Sequence, residues 1–170
     1  MPTFVPIATV EPAAVEALLD RAFGRDRHGR TAYRLREGVG AIPELSFAAI
    51  ENGELVGTIQ CWPVELVSDD GARWPLVLVG PVAVEPARQR GGLGKELMHQ
   101  ALDAAVELEL DGAMMLIGDP EYYGRFWGFG ADATGGWRLP GPVERHRLLA
   151  RGTEVPAVAG IVAPRVTVAA

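Results

Sequence analysis

The chain has 170 residues, which at roughly 150 residues per domain predicts one domain. Apolar residues are 48% and charged residues 22%, a balance that excludes a disordered chain. Lys+Arg is 16 against 22 for Asp+Glu, a net charge of −6 that speaks against a general nucleic-acid binder, and the single cysteine, Cys61, excludes both an intrachain disulfide scaffold and a Cys-based zinc module.

The N-terminus, Met1 to Val10, is apolar but has no basic flank, and Glu11 and Glu16 follow, so it does not read as a signal peptide. No run approaches the roughly 20 apolar residues of a membrane span. The expectation is a soluble, cytoplasmic protein with neither nucleic-acid nor membrane partners.

Thr3 to Val10 reads as a short strand, with Pro6 marking a sheet edge. Glu11-Pro12 opens a helix whose apolar face is Ala14, Val15, Ala17, Leu18, Leu19 and Ala22, and Gly24 closes it. Arg25 to Glu37 is polar and predicts a second, shorter helix. Its Arg25, Arg27, His28, Arg30 and Tyr33 either contact a substrate or face water. Leu45 to Ile50 and Leu55 to Val67 read as strands joined at Asn52-Gly53, a strong two-residue hairpin signal. Asp69-Asp70-Gly71 turns the chain into Trp74 to Val84, a nearly continuous apolar strand buried on both faces. Trp62 and Trp74 read as packing residues, and Cys61 as a small buried hydrophobe.

The period then changes. Leu93, Leu97, Met98, Ala101, Leu102, Ala105 and Leu108 recur at helical spacing, and Asp111-Gly112 ends that helix. Ala113 to Ile117 is a short strand, parallel to Trp74 to Val84 because a helix lies between them. Glu121 to Phe126 makes one or two helical turns. Trp137 to Leu139 and His146 to Ala150 are two last strands. The expected class is α/β: a mixed, mostly antiparallel sheet flanked by helices. Residues 1–152 form the domain and 153–170 an apolar extension, which either packs on the sheet, completes a dimer or lies disordered.

One segment carries chemistry. Val82-Ala83-Val84 ends a buried strand, Glu85-Pro86-Ala87-Arg88-Gln89-Arg90-Gly91-Gly92 makes a Gly-rich basic loop, and Leu93-Gly94-Lys95-Glu96-Leu97 begins an amphipathic helix. Free N–H groups of a first helical turn, with the helix dipole behind them, attract an anion. The glycines let a ligand approach the backbone. The plain alternative is a helix-entry turn with solvated arginines. The loop is not a Walker A sequence, because Glu96 follows Gly94-Lys95, and an NTP site is disfavoured. Nor is it a dinucleotide fingerprint.

The loop fits Gln/Arg-x-x-Gly-x-Gly, read as Gln89-Arg90-Gly91-Gly92-Leu93-Gly94. Here the chain resembles the GNAT superfamily of N-acetyltransferases. About 25 residues on, Leu116-Ile117-Gly118-Asp119-Pro120-Glu121-Tyr122-Tyr123-Gly124-Arg125-Phe126-Trp127-Gly128-Phe129 is similar to the strand, tyrosine-bearing helix and Gly-Phe pair of a bacterial subgroup. It departs in one respect: Tyr123 lies five residues before Gly128, and Trp127 reads as a one-residue insertion.

The resemblance implies a GNAT-like acyl-CoA N-acyltransferase fold. It implies that acetyl-CoA is the cosubstrate, bound by Val82, Ala83, Val84, Gln89, Arg90, Gly91, Gly92, Leu93, Gly94 and Lys95, with Phe126 as a wall. It implies direct acetyl transfer to a primary amine in a ternary complex, with Tyr123, then Tyr122, as the acid that protonates the thiolate. The amine is that of a small molecule, peptide or protein. For the base, Glu51, Glu65, Glu85, Asp119 and Glu121 are the carboxylates to weigh. Asp119, at a strand end beside the cofactor site, is favoured among them, against its plain role as a helix cap. No metal is expected, and the three histidines show no ligand spacing. A homodimer is expected. The alternative to an enzyme is a non-catalytic CoA or acyl-CoA binding module.

Overall fold

Asn52 and Gly53 both adopt positive φ, 52° and 77°, as a tight hairpin turn demands. They join β2 (Phe47–Glu51) to β3 (Glu54–Ser68), and β1 (Thr3–Pro6) lies antiparallel on the other side of β2. The computed structural model describes residues 1–166. Its strands form one eight-stranded mixed sheet. β1, β2, β3, β4 (Arg73–Val84), β5 (Met114–Ile117) and β7 (Leu148–Arg151) follow in that order. β6 (Trp137–Arg138) pairs with β8 (Gly160–Pro164), and β8 pairs with β3. The helices are α1 (Pro12–Phe23), α2 (Thr31–Arg34), α3 (Leu93–Glu107) and α4 (Pro120–Trp127). The α/β class and the mixed sheet are those expected.

The described residues fall into two compact units. The first holds Met1–His28, Ala41–Cys61 and Gly80–Glu109. Its α1 starts on Pro12 and ends at Gly24, where φ is 89°. Val15, Leu18 and Leu19 of α1 are buried with Ala83 in one apolar cluster. Leu93 and Leu97 of α3 pack where Gly57 lacks a side chain: an ideal Cβ there lies 2.9 Å from Leu97 Cδ1. Beyond the β2 pairing, Cys61 takes its partners from a loop. Its N–H donates to Ser46 Oγ at 3.1 Å, and its carbonyl accepts from the Ile42 N–H at 2.7 Å.

The second unit holds Gly29–Gly40, Trp62–Val79 and the described residues from Leu110 on. Leu76, Val77, Leu78 and Val79 are all buried, so β4 is covered on both faces there. β5 runs parallel to β4 through Val77–Met114, as the intervening helix requires, and β7 runs antiparallel to β5. Trp62 packs on the core as expected, but Trp74 does not: it is 40% exposed, because the start of β4 reaches past the core. The apolar run after Thr153 supplies β8, which pairs Val64–Ser68 of β3 with Pro164–Gly160. Residues 167–170 of that run lie outside the described residues. No described helix is long and apolar enough to cross a membrane.

Candidate functional site

The loop after β4 is built by local hydrogen bonds. The Glu85 N–H donates to Val56 O at 2.9 Å, the Arg88 N–H to Glu85 O at 2.7 Å, and the Gly91 N–H to Arg88 O at 3.3 Å. Gly92 then takes the left-handed conformation (φ 78°, ψ 8°) at the N-cap of α3. A side chain is strained there, so glycine is favoured. No capping side chain occupies the α3 N-terminus, and the space around Gly92 is open. Gly94 faces Val82 and Val84, whose side chains are half-buried. Ala83 points the other way, into the α1 cluster. Leu93 is also a core residue at 2% exposure, so only its backbone is left for a ligand.

The charges of the loop divide by role. Arg88 pairs with Glu51, which also meets the Met1 amino group at 3.4 Å. Glu85 takes a two-pronged bond from Arg21, with Nη2 at 2.8 Å and Nε at 3.0 Å from Oε2. These pairs pin both ends of the turn. Arg90 and Gln89 are exposed, and Lys95 is partly buried on the first turn of α3. Among the described residues, no cluster of His, Cys, Asp and Glu fit for a metal ion occurs.

The second unit carries the aromatic segment. Asp119 caps α4, its carboxylate accepting the Glu121 N–H at 3.0 Å. Pro120 starts the helix, and Gly128, at φ 72°, ends it. Tyr123 is bonded at both backbone ends: its N–H donates to Asp119 O at 2.9 Å, and its carbonyl accepts from the Phe129 N–H at 3.3 Å. Its ring centroid is 5.0 Å from that of Tyr122, 5.7 Å from Trp127 and 6.4 Å from Phe129. Burial pushes the Tyr123 hydroxyl above the ordinary tyrosine range. The Tyr122 and Asp119 groups push it the same way, and Arg147 pulls it back. Tyr122 is raised too, by burial alone. Phe126 is 44% exposed, whereas Trp127 and Phe129 are buried.

Of the carboxylates weighed as bases, Glu51, Glu85 and Glu65 are ion-paired, the last with Arg73 at 2.6 Å, and Asp119 serves as the cap. Glu121 is exposed on the first turn of α4. Arg27, expected to meet substrate or water, does neither: it is 1% exposed and paired with Glu16 at 2.5 Å and Asp20 at 3.1 Å. No local motif marks Arg147, whose charge acts on Tyr123. It sits next to β7, and only the β5–β7 register brings it to the Gly118 end of β5.

The sequence matches a model of the Acetyltransferase (GNAT) family over residues 13–129. It is 29% identical over 117 residues to YhbS of Escherichia coli (strain K12), described as an uncharacterized N-acetyltransferase, covering 69% of this chain and 67% of that one. A solved structure of YhbS from Escherichia coli in complex with CoA superposes with a TM-score of 0.72 at 25% identity, over 96% of this chain and 89% of that one. A GNAT family acetyltransferase from Brucella melitensis, solved with acetyl-CoA, shares the fold with a TM-score of 0.67 at 24% identity, over 97% of this chain and 96% of that one.

Proposed function

Because the chain belongs to the GNAT acetyltransferase family, we propose that it transfers acetyl from acetyl-CoA directly to a primary amine in a ternary complex. The observation that carries this is the loop: an open left-handed glycine at an uncapped helix start, after a strand end whose Val82 and Val84 flank it. That geometry suits a pyrophosphate on the N–H groups of Gly92, Leu93, Gly94 and Lys95, with Arg90 and Gln89 beside it. The similar E. coli protein was solved with CoA, which supports the assignment. The backbone of Val82 to Val84 is assigned to the pantetheine arm and the thioester carbonyl, and Phe126 to a wall of the cofactor site.

Acyl transfer then proceeds by positioning and proton management. The amine nitrogen attacks the thioester carbon and forms the C–N bond. As the C–S bond breaks, the leaving sulfur takes the proton of the Tyr123 hydroxyl. Tyr123 is assigned this role over Tyr122 because its backbone is held at both ends and its ring is the more enclosed. The ammonium proton leaves to solvent or to a carboxylate, and the tyrosinate takes a proton back from solvent to close the cycle. A lysine-like amine with pKa about 10.4 is neutral in roughly one molecule in 2,500 at pH 7, so this step favours acceptors that are neutral more often. Among the carboxylates, Glu51, Glu65 and Glu85 are already engaged in ion pairs with Arg88, Arg73 and Arg21. Asp119 keeps one oxygen beyond its cap bond. The acid, and turnover with an amine, distinguish this reading from a non-catalytic CoA-binding module, which shares the binding of acyl-CoA.

Calorimetry with acetyl-CoA, on the parent and on a folded Gly92→Glu, Gly94→Glu variant, tests the loop. Micromolar binding lost in the variant places the pyrophosphate there. Thiol release with spermidine, an aminoglycoside and a lysine-containing peptide then tests transfer. Binding without thiol release from any amine supports the binding module, and no binding of acetyl-CoA, CoA or longer acyl-CoAs by the parent overturns both readings.

A further inference from the structure

Gly118 lies between the end of β5 and the cap of α4, and its backbone does not need to be glycine. Its φ is not in the left-handed region, so any residue can adopt it. The reason for glycine is therefore space. An ideal Cβ at position 118 lies 2.5 Å from Cε2 of Tyr123 and 2.8 Å from Cδ2, well inside contact distance. Leu116 Cδ1, at 3.2 Å, closes the remaining side.

Neither partner has room to yield without losing other contacts. The Gly118 N–H donates to Arg147 O at 2.9 Å, directly beyond the Ile117–Leu148 pair of the β5–β7 ladder, so the strand end is fixed. Tyr123 is bonded through both its N–H and its carbonyl, and its ring is bordered by Tyr122, Trp127 and Phe129. The residue at 118 thus sets how close the tyrosine ring lies to the strand end, and so where its hydroxyl is presented. Rigid placement matters most for an acid, since a proton crosses only a hydrogen-bond distance.

We infer that Gly118 is a positioning residue: its missing side chain is the seat of the Tyr123 ring, and it acts on acetyl transfer through that tyrosine. The inference rests on the reading of Tyr123 as the acid, and two measurements separate the two. The first is thermal unfolding of the full chain in a cycle of Gly118→Ala with Tyr123→Ala. Gly118→Ala lowers Tm in the parent and has a much smaller effect once Tyr123→Ala opens the space, because the two contacts under 3.0 Å are both with that ring and Leu116 stands farther off. Equal Tm losses in both backgrounds overturn the seat. The second is turnover by thiol release, with the most active amine of the panel above. Gly118→Ala lowers kcat by about tenfold or more with little change in acetyl-CoA affinity, and the loss disappears in a Tyr123→Phe background. A seat confirmed by unfolding but with full kcat in Tyr123→Phe overturns the acid reading and reduces Gly118 to packing. A kcat loss that persists in Tyr123→Phe overturns the inference while leaving the acid in place.

Discussion

In the proposed mechanism Tyr123 gives a proton to a thiolate, and its surroundings act on that task with opposite signs. Burial is the largest influence and holds the hydroxyl protonated to higher pH than a free tyrosine. It also makes the residue a weaker acid than its ordinary pKa of about 10, against a thiol near 8.5. The transfer is thus uphill unless it coincides with C–S cleavage. Arg147 offsets part of this by favouring the tyrosinate. The sign follows directly: a raised pKa keeps the acid competent as pH rises and loses it only above the ordinary tyrosine range. The alkaline limb of kcat is therefore expected above about pH 10. Arg147→Gln removes the opposing charge, so it moves that limb higher and lowers kcat below it. Tyr123→Phe removes the limb altogether. A pH–rate profile that falls near pH 8.5 in all three proteins instead assigns the limb to another group. The same residue raises the matching stability term: folded protein holds this proton more tightly than unfolded chain, so the contribution is full below the unfolded pKa and fades as pH rises through the folded one. Cys61 follows similar physics without a role in transfer. Burial raises its thiol to about 12, so it stays protonated and unreactive at neutral pH.

At the scale of elements, β8 docks on β3 through one very close backbone approach. Gly160 lies so close to β3 that an ideal Cβ there meets the backbone of Val67 and Ser68, with Ser68 Cα at 2.8 Å. Backbone cannot swing aside as a side chain can, and Val162, at 1% exposure, is buried only if β8 docks. Gly160→Val should therefore cost about 2–3 kcal/mol by overpacking, which corresponds to a Tm loss of about 5–10 °C for a chain of this size. Differential scanning calorimetry measures it, and an unchanged Tm means that β8 contributes nothing to stability. The strand also shows where sequence reading stopped. The β2–β3 hairpin was legible because Asn52-Gly53 states its own backbone geometry, and α3 because six buried residues keep one period. β8 is not legible locally because its partners, Val64–Ser68, lie almost a hundred residues earlier, and no local pattern records so distant a pairing. The candidate site divides in the same way. The glycines and Tyr123 carry local motifs. The engagement of Arg88 by Glu51, the burial of Arg27 and the approach of Arg147 to Tyr123 depend on tertiary contacts.

Over the whole molecule, a net charge of −6 opposes an anionic cosubstrate. Yet the proposed phosphate loop concentrates Arg90, Lys95 and the positive end of α3 at one place. Distance decides between these effects. Charges farther from the ligand than the Debye length, about 8 Å at physiological salt, are largely screened. In the proposed site the helix start and the loop cations act at contact range. Attraction at the loop therefore outweighs the diffuse repulsion, and added salt weakens binding. Raising KCl from about 50 to 500 mM is expected to increase the acetyl-CoA Kd by about three- to tenfold, and Arg90→Gln to flatten that dependence. Arg88→Gln behaves differently, because its charge is already balanced by Glu51. It leaves the salt slope nearly intact and weakens affinity by loosening the turn. Titration calorimetry across the salt series separates these cases. A Kd that falls as salt rises means that the net negative charge governs the encounter, and that the loop cations do not face the phosphates.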